Sequence, residues 1–240
     1  MTMAWTSPEG HHYRHRPWHR PWGRLALSLL LAPAFLLVGC IPGERAPRPT
    51  YWVLNPLPGV AEQPRFAIQL SIANPEVPLG MGHERIAVRL GDQRLDYLAD
   101  ARWIAPLPTL LQHYLQRSLA NRLLCDAVAP DGNHGVHRFQ LDWTLREWTV
   151  HYPRADVAPR RQAAPQLRLE WLLSLREADT ARPQPATWQK RFAASRRAPA
   201  NRKTALVSTW QALLQETTAQ AAAALRAHWR ARGIRPGCPE

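Results

Sequence analysis

Three cysteines, at positions 40, 125 and 238, are the side chains of this chain best suited to covalent chemistry. Cys40 closes the run Leu37-Val38-Gly39-Cys40, where small residues leave narrow backbone around a thiol whose thiolate is a nucleophile. Cys125 and Cys238 are left as a pair. In an oxidising compartment they could form a disulfide closing a loop of more than a hundred residues, worth ~4–5 kcal/mol by chain entropy. The other reading is two unpaired thiols, one packed at a helix end and one on the tail. Histidines offer less. His11, His12, His15 and His19 have metal-ligand spacing but precede Cys40. Cys125, His134 and His137 lie close in sequence, yet loop histidines are usually solvated, and no metal is assigned. Asp142 and Glu147, five apart on an extended segment, fall on opposite faces unless a bulge intervenes, which makes a poor acid/base pair. The chain has no phosphate loop, no glycine-flanked nucleophile serine, no Cys-x-x-Cys pair and no His-Glu-x-x-His helix. The pattern supports neither catalysis nor a cofactor.

The surroundings of Cys40 say what its thiol is for. Residues 1–24 carry Arg14, Arg16, Arg20 and Arg24 against Glu9, and Leu25 to Val38 is a short, mostly apolar run. A basic segment followed by such a run is the layout of an export signal and is too short to span a bilayer. Leu37-Val38-Gly39-Cys40 resembles the bacterial lipobox, in which the cysteine accepts a diacylglyceryl group and becomes the new N-terminus. On that reading residues 1–39 are a lipoprotein signal peptide. A multi-chain lipid on Cys40 gives stable anchoring, since each buried methylene adds about 0.8 kcal/mol. Ile41 rather than Asp follows Cys40. In the pathway this resembles, that favours the outer membrane. Residues 40–50, with Pro42, Gly43, Pro47 and Pro49, read as a flexible lipidated tether.

Composition fits this placement. The 240 residues are 45% hydrophobic, which excludes a disordered chain, and carry a formal charge of +13 with 23 prolines. A sequence pI near 11.0 suggests nucleic acid at first. Only Lys190 and Lys203 are lysines, however, so 29 of the 31 basic residues are arginine, a bias that coding-base composition explains. Removal of the leader takes four arginines and one glutamate, leaving +10 on 201 residues outside the cytoplasm. Nucleic acid is therefore not an expected partner; anionic lipids and envelope polymers are. Arg154, Arg160 and Arg161 lie in a Pro/Arg-rich loop, where they either meet an acidic partner or headgroup or simply keep the loop soluble. Trp148 is read two ways, as a partner or headgroup contact or as packing against the second helix.

Residues 51–232 read as one domain, followed by a tail at 233–240. Short alternating strands are expected at Tyr51 to Leu54, Phe66 to Ile72, Ile86 to Leu90 and Leu95 to Leu98. A helix follows Pro106, its apolar face running from Leu107 through Leu111, Leu115 and Leu119 to Leu123. Phe139 to Val150 alternates, with a slip after Glu147 that suggests a bulge. Leu167 to Leu175 and Trp188 to Ala194 are further strands. Asn201 is placed to cap a last helix with Leu206, Trp210, Leu213, Leu214 and Leu225 on one face. The fold class is α+β, an α/β sandwich: a mixed sheet of about six to seven strands covered by two amphipathic helices, in the order ββββ-α-βββ-α.

A lipobox, a short spacer, Tyr51-Trp52-Val53-Leu54, then Arg85-Ile86-Ala87-Val88-Arg89, Leu95-Asp96-Tyr97 and Arg102-Trp103-Ile104-Ala105-Pro106-Leu107 occur in that order. The arrangement resembles the ABC-type transport auxiliary lipoproteins, the PqiC/YmbA-like family of Gram-negative bacteria. The likeness covers roughly residues 36–230 and is clearest over 51–123. It implies a non-enzymatic lipoprotein on the periplasmic face of the outer membrane, held in the inner leaflet by Cys40. It also implies work with an MCE-domain inner-membrane protein in lipid transport, as a docking and anchoring part, with a homo-oligomeric ring as one arrangement. Tyr51 and Trp103 are carried over as structural landmarks, Trp103 wedging the first helix against the sheet. The rival reading is an envelope-binding lipoprotein that contacts lipopolysaccharide or another anionic polymer.

Overall fold

A computed structural model describes residues 48–125, 137–177 and 188–238. Cys40, the leader with its four histidines, most of the tether and His134 lie outside these residues. The strands are β1 (Thr50–Trp52), β2 (Ile68–Ile72), β3 (Arg85–Leu90), β4 (Arg94–Trp103), β5 (His137–Tyr152), β6 (Gln166–Glu177) and β7 (Trp188–Arg197). Helix α1 spans Leu107–Leu123 between β4 and β5, and α2 spans Lys203–Ala231 at the end. The class is α+β, and the element order is the expected one.

All seven strands form one mixed sheet, ordered β1-β4-β3-β5-β6-β7, with β2 also paired to β5. The 16-residue β5 organises it. One edge runs antiparallel to β6 along its length; the other takes β2 in parallel at Ile68↔His137 to Ile72↔Leu141 and β3 at Val88↔Val150 to Leu90↔Tyr152. β2 and β3 thus share one edge of a single long strand end to end, which explains why both are short.

Both helices present their apolar stripes to this fold. Leu107, Leu110, Leu111, Tyr114, Leu115, Leu119 and Leu123 of α1 are buried, as are Leu206, Trp210, Leu213, Leu214, Leu225 and Trp229 of α2. They meet Leu167, Leu169, Trp171, Leu173 and Leu175 of β6 and the matching residues of β5 in one continuous core. The other side of the sheet is polar: Arg176 pairs with Asp142 and Arg191 with Glu170 across strands. Such alternation is what a sheet covered on one face requires.

The register of β5 against β6 shifts between Leu145 and Glu147. Arg146 is the extra residue of a bulge, and it resets the alternation. Trp148, Val150 and Tyr152 therefore return to the covered face beside Leu145. This corrects the reading of Trp148 as a partner or headgroup contact: it is 1% exposed and stacked on Trp210. Trp103 closes β4 fully buried, its ring edge-on to Trp148 at 6.0 Å. Asn201 is not the cap of α2. The N-cap is Arg202, without a side-chain hydrogen bond to the helix.

Cys125 and Cys238 are joined, with Cα atoms 5.5 Å apart. Phe66 holds the two ends independently of the sulfurs. Its N–H donates to Leu123 O, its O accepts from Cys125 N, and Gly237 N donates to the neighbouring Arg65 O. Residues 233–238 are thereby laced to the end of α1.

Candidate functional site

A groove beside β1 begins with a fault in β4. Arg85 pairs with Arg102 and Ala87 with Tyr97, so a single β3 residue faces Leu98 to Ala101. The excess chain bows out of the sheet, and Asp100 takes φ 53, the left-handed region that L-residues rarely enter. Leu98 and Ala99 become one wall of a groove of about 840 Å³. Trp52 and Thr50 of β1 continue that wall, Tyr152 lies at the end of β5, and Pro159 and Arg160 close the opposite side. The first turn of α2 supplies Arg202, Lys203, Thr204 and Leu206.

A hydrogen-bond relay fixes the loop wall. Tyr152 Oη donates to Asn201 Oδ1 at 2.7 Å, and Asn201 Nδ2 donates to Pro159 O at 2.7 Å and Gln162 O at 2.9 Å. Gln162 Nε2 in turn donates to Arg154 O and Val157 O, both at 2.7 Å. Burial pushes the Tyr152 phenol up to about 12, so it remains a donor at any physiological pH. Asn201 is spent on the loop, which is why it cannot cap the helix.

Electrostatically the groove is one-sided. Arg160, Arg202 and Lys203 stand on it, and none of its lining residues is Asp or Glu. The first turn of α2 carries no acidic residue and no side-chain cap, so its N–H groups add partial positive charge there. The groove's titratable groups are Tyr152, Arg160, Arg202 and Lys203, with no His, Cys or carboxylate among the lining residues. Its chemistry suits a molecule with an apolar body and an anionic end.

Two other surfaces are distinctive. Tyr51, Val53 and Ile104 are large apolar residues left more than half exposed beside β1. On the polar sheet face Arg89, Arg146 and Arg168 surround Glu147 and Glu170 in a shallow depression.

The residues singled out from sequence have separate fates. Arg160 lines the groove. Arg161 is exposed on the same 3-10 turn (Pro159–Arg161), away from the lining. Arg154 points elsewhere, held by Asp156 at 2.8 Å, and its hydrogen bond lowers the Asp156 carboxyl below the usual range. Trp148 is in the core, and Cys125 and Cys238 are bonded at the far end of α1. Sequence reasoning missed Trp52, Leu98, Ala99, Arg202 and Lys203 as parts of a site, because no two segments among them share a motif.

The family model described as the ABC-type transport auxiliary lipoprotein component matches residues 52–222. A crystal structure of a protein from Xanthomonas campestris superposes with a TM-score of 0.55 at 16% identity, over 72% of this chain and 92% of that one. An uncharacterised protein gives 0.49 at 16% identity over 74% of this chain and 99% of its own. A candidate lipoprotein from Caulobacter crescentus gives 0.32 at 17% identity over 52% and 85%. No curated protein matches the chain.

Proposed function

Since this chain belongs to the ABC-type transport auxiliary lipoprotein family, we propose that it is the outer-membrane-anchored docking subunit of an intermembrane lipid transport system. Residues 1–39 direct export, and Cys40 carries the lipid in the inner leaflet. Residues 40–50 are the tether, and the 51–232 domain, with its 233–240 tail, faces an MCE-domain protein of the inner membrane. Its role is binding, not catalysis, and a ring of identical subunits is the arrangement in which one docking domain would surround an extended partner. The observation that carries this reading is the family match, which begins at Trp52, twelve residues after the lipobox cysteine. Among the described residues no helix is long and apolar enough to cross a membrane, consistent with attachment by lipid.

Two measurements test it. Cys40→Ala should leave the protein unprocessed or released from the membrane fraction and should abolish function in the cell. Affinity capture of the intact lipoprotein from detergent-solubilised envelopes should recover an MCE-domain protein. Repeated capture of intact lipoprotein without one would overturn the docking role.

A further inference from the structure

We infer that the groove between β1, the bowed segment of β4, the Pro159–Arg161 turn and the start of α2 binds an anionic phospholipid. One acyl chain would lie against Trp52, Leu98 and Leu206, with the phosphate at Arg202, Lys203 and Arg160. The inference goes beyond docking and rests on the anchoring reading only for where the lipid comes from.

Three observations converge. The first is shape. A volume of about 840 Å³ falls inside the ~300–1,000 Å³ range of small-molecule sites and has room for one extended acyl chain with its headgroup. The second is charge. Three cationic side chains and no carboxylate line the groove, whereas on the polar sheet face Arg176 lies against Asp142 and Arg191 against Glu170. Arg202 and Lys203 also flank the uncapped helix start, so a phosphate seated there would meet cations and free N–H groups together. The third is position. Thr50 lies on the rim and is ten residues beyond Cys40, a reach of at most about 35 Å. On the anchoring reading, chain length alone keeps the groove within reach of the leaflet that would supply the ligand. The strained conformation of Asp100 fits a built wall, since the backbone departs from the sheet just where Leu98 and Ala99 face the groove.

The test uses the full chain purified from membranes and reconstituted, without any partner, into vesicles containing phosphatidylglycerol with a diazirine on one acyl chain. Irradiation and peptide mapping should place adducts on the segments of Trp52, Leu98–Ala99 and Leu206. Ala99→Trp, which fills the groove at an exposed position, should remove them while its melting temperature stays that of the parent. Arg202→Glu with Lys203→Glu should cut labelling at least about tenfold, the ratio for a single charge-assisted contact, since two cations are lost and reversed. Labelled phosphatidylcholine should give correspondingly weak adducts. Adducts confined to the tether and Tyr51, adducts that persist in folded Ala99→Trp, or equal labelling by phosphatidylcholine would each overturn the inference. Because the readout contains no partner protein, absent adducts alongside normal capture of an MCE-domain protein would remove the lipid site and leave the docking role standing.

Discussion

Trp148 of β5 lies flat on Trp210 of α2, ring centroids 4.0 Å apart and planes within 3° of parallel. The pair ties the central strand to the long helix, and Trp103 meets Trp148 edge-on from β4. Among the described residues neither indole N–H of the stacked pair has a hydrogen-bond partner, and the ring-on-ring contact itself is one of area and dispersion. Trp148→Ala and Trp210→Ala should each destabilise by ~3–5 kcal/mol. The double mutant should fall short of their sum by about 0.5–1.5 kcal/mol, since the stacking is lost only once. Trp148→Phe should cost clearly less than Trp148→Ala because it keeps an aromatic face against Trp210. Denaturant melts of the four variants check this, and strict additivity would refute coupling.

The disulfide makes a different kind of contribution. Cys125 and Cys238 are 113 residues apart, a loop size for which the chain-entropy model gives about 4–5 kcal/mol. The tail is also held by Gly237 N on Arg65 O. Cys238→Ser should therefore leave the fold intact but lower its stability in denaturant by a few kcal/mol, about 2–5. A reducing agent should do the same to the parent and nothing to the variant. An unchanged melt on reduction would mean the bond constrains nothing.

Asp100 tests whether the groove wall is strained. Its φ of 53 tolerates Gly and Asn but penalises a branched Cβ. Asp100→Gly should be neutral or slightly stabilising, while Asp100→Val should cost about 1–3 kcal/mol. Equal melting temperatures for the Gly and Val variants would show that the bowed segment relaxes freely.

How much of this was legible in the sequence depends on the kind of signal. The helix faces were readable because three-and-four spacing reports burial directly: Leu107 to Leu123 and Leu206 to Leu225 are buried where the pattern put them. A slip was visible as well, read after Glu147 where the structure places it at Arg146, but its meaning was not. Alternation alone cannot say whether Trp148 moved to the other face or whether Arg146 was looped out to keep it on the same one. The partner strand decides, and Trp148↔Leu169 follows Leu145↔Trp171 with Glu147↔Glu170 between them. Asn201 has a good capping side chain, yet the carbonyls of Pro159 and Gln162, some forty residues away, compete for it. The groove was unreadable for the same reason: it is assembled from β1, β4, β5, a turn and α2, each locally unremarked.

His228 gives the acid dependence of stability. Burial, and then the nearby Arg232, push its imidazole below the usual 6.5. The folded state therefore prefers the neutral ring, while the unfolded chain takes up the proton first. Stability from this site is complete above the unfolded value and is lost as pH falls below it, because the unfolded state then binds more protons. His228→Gln should flatten the fall in melting temperature between about pH 7.5 and about pH 5. Superimposable pH profiles for parent and variant would remove His228 from the account.

One amide, that of Asn201, serves both the loop and the groove. Its side chain accepts from buried Tyr152 and donates to two loop carbonyls. Asn201→Ala would leave the Tyr152 hydroxyl and those carbonyls without these partners, a loss of about 1–3 kcal/mol. Tyr152→Phe removes only the first link and should cost less, since Asn201 still holds Pro159 and Gln162. The consequence beyond stability is local. With Asn201→Ala, amide hydrogen exchange should quicken across 153–165 and the first turn of α2 while β6 stays protected, because the relay is what holds the loop against the helix. Exchange that rises uniformly across the sheet would mean that Asn201 supports the whole domain rather than this wall. Exchange that does not rise at all would mean that the loop is held by something other than this amide.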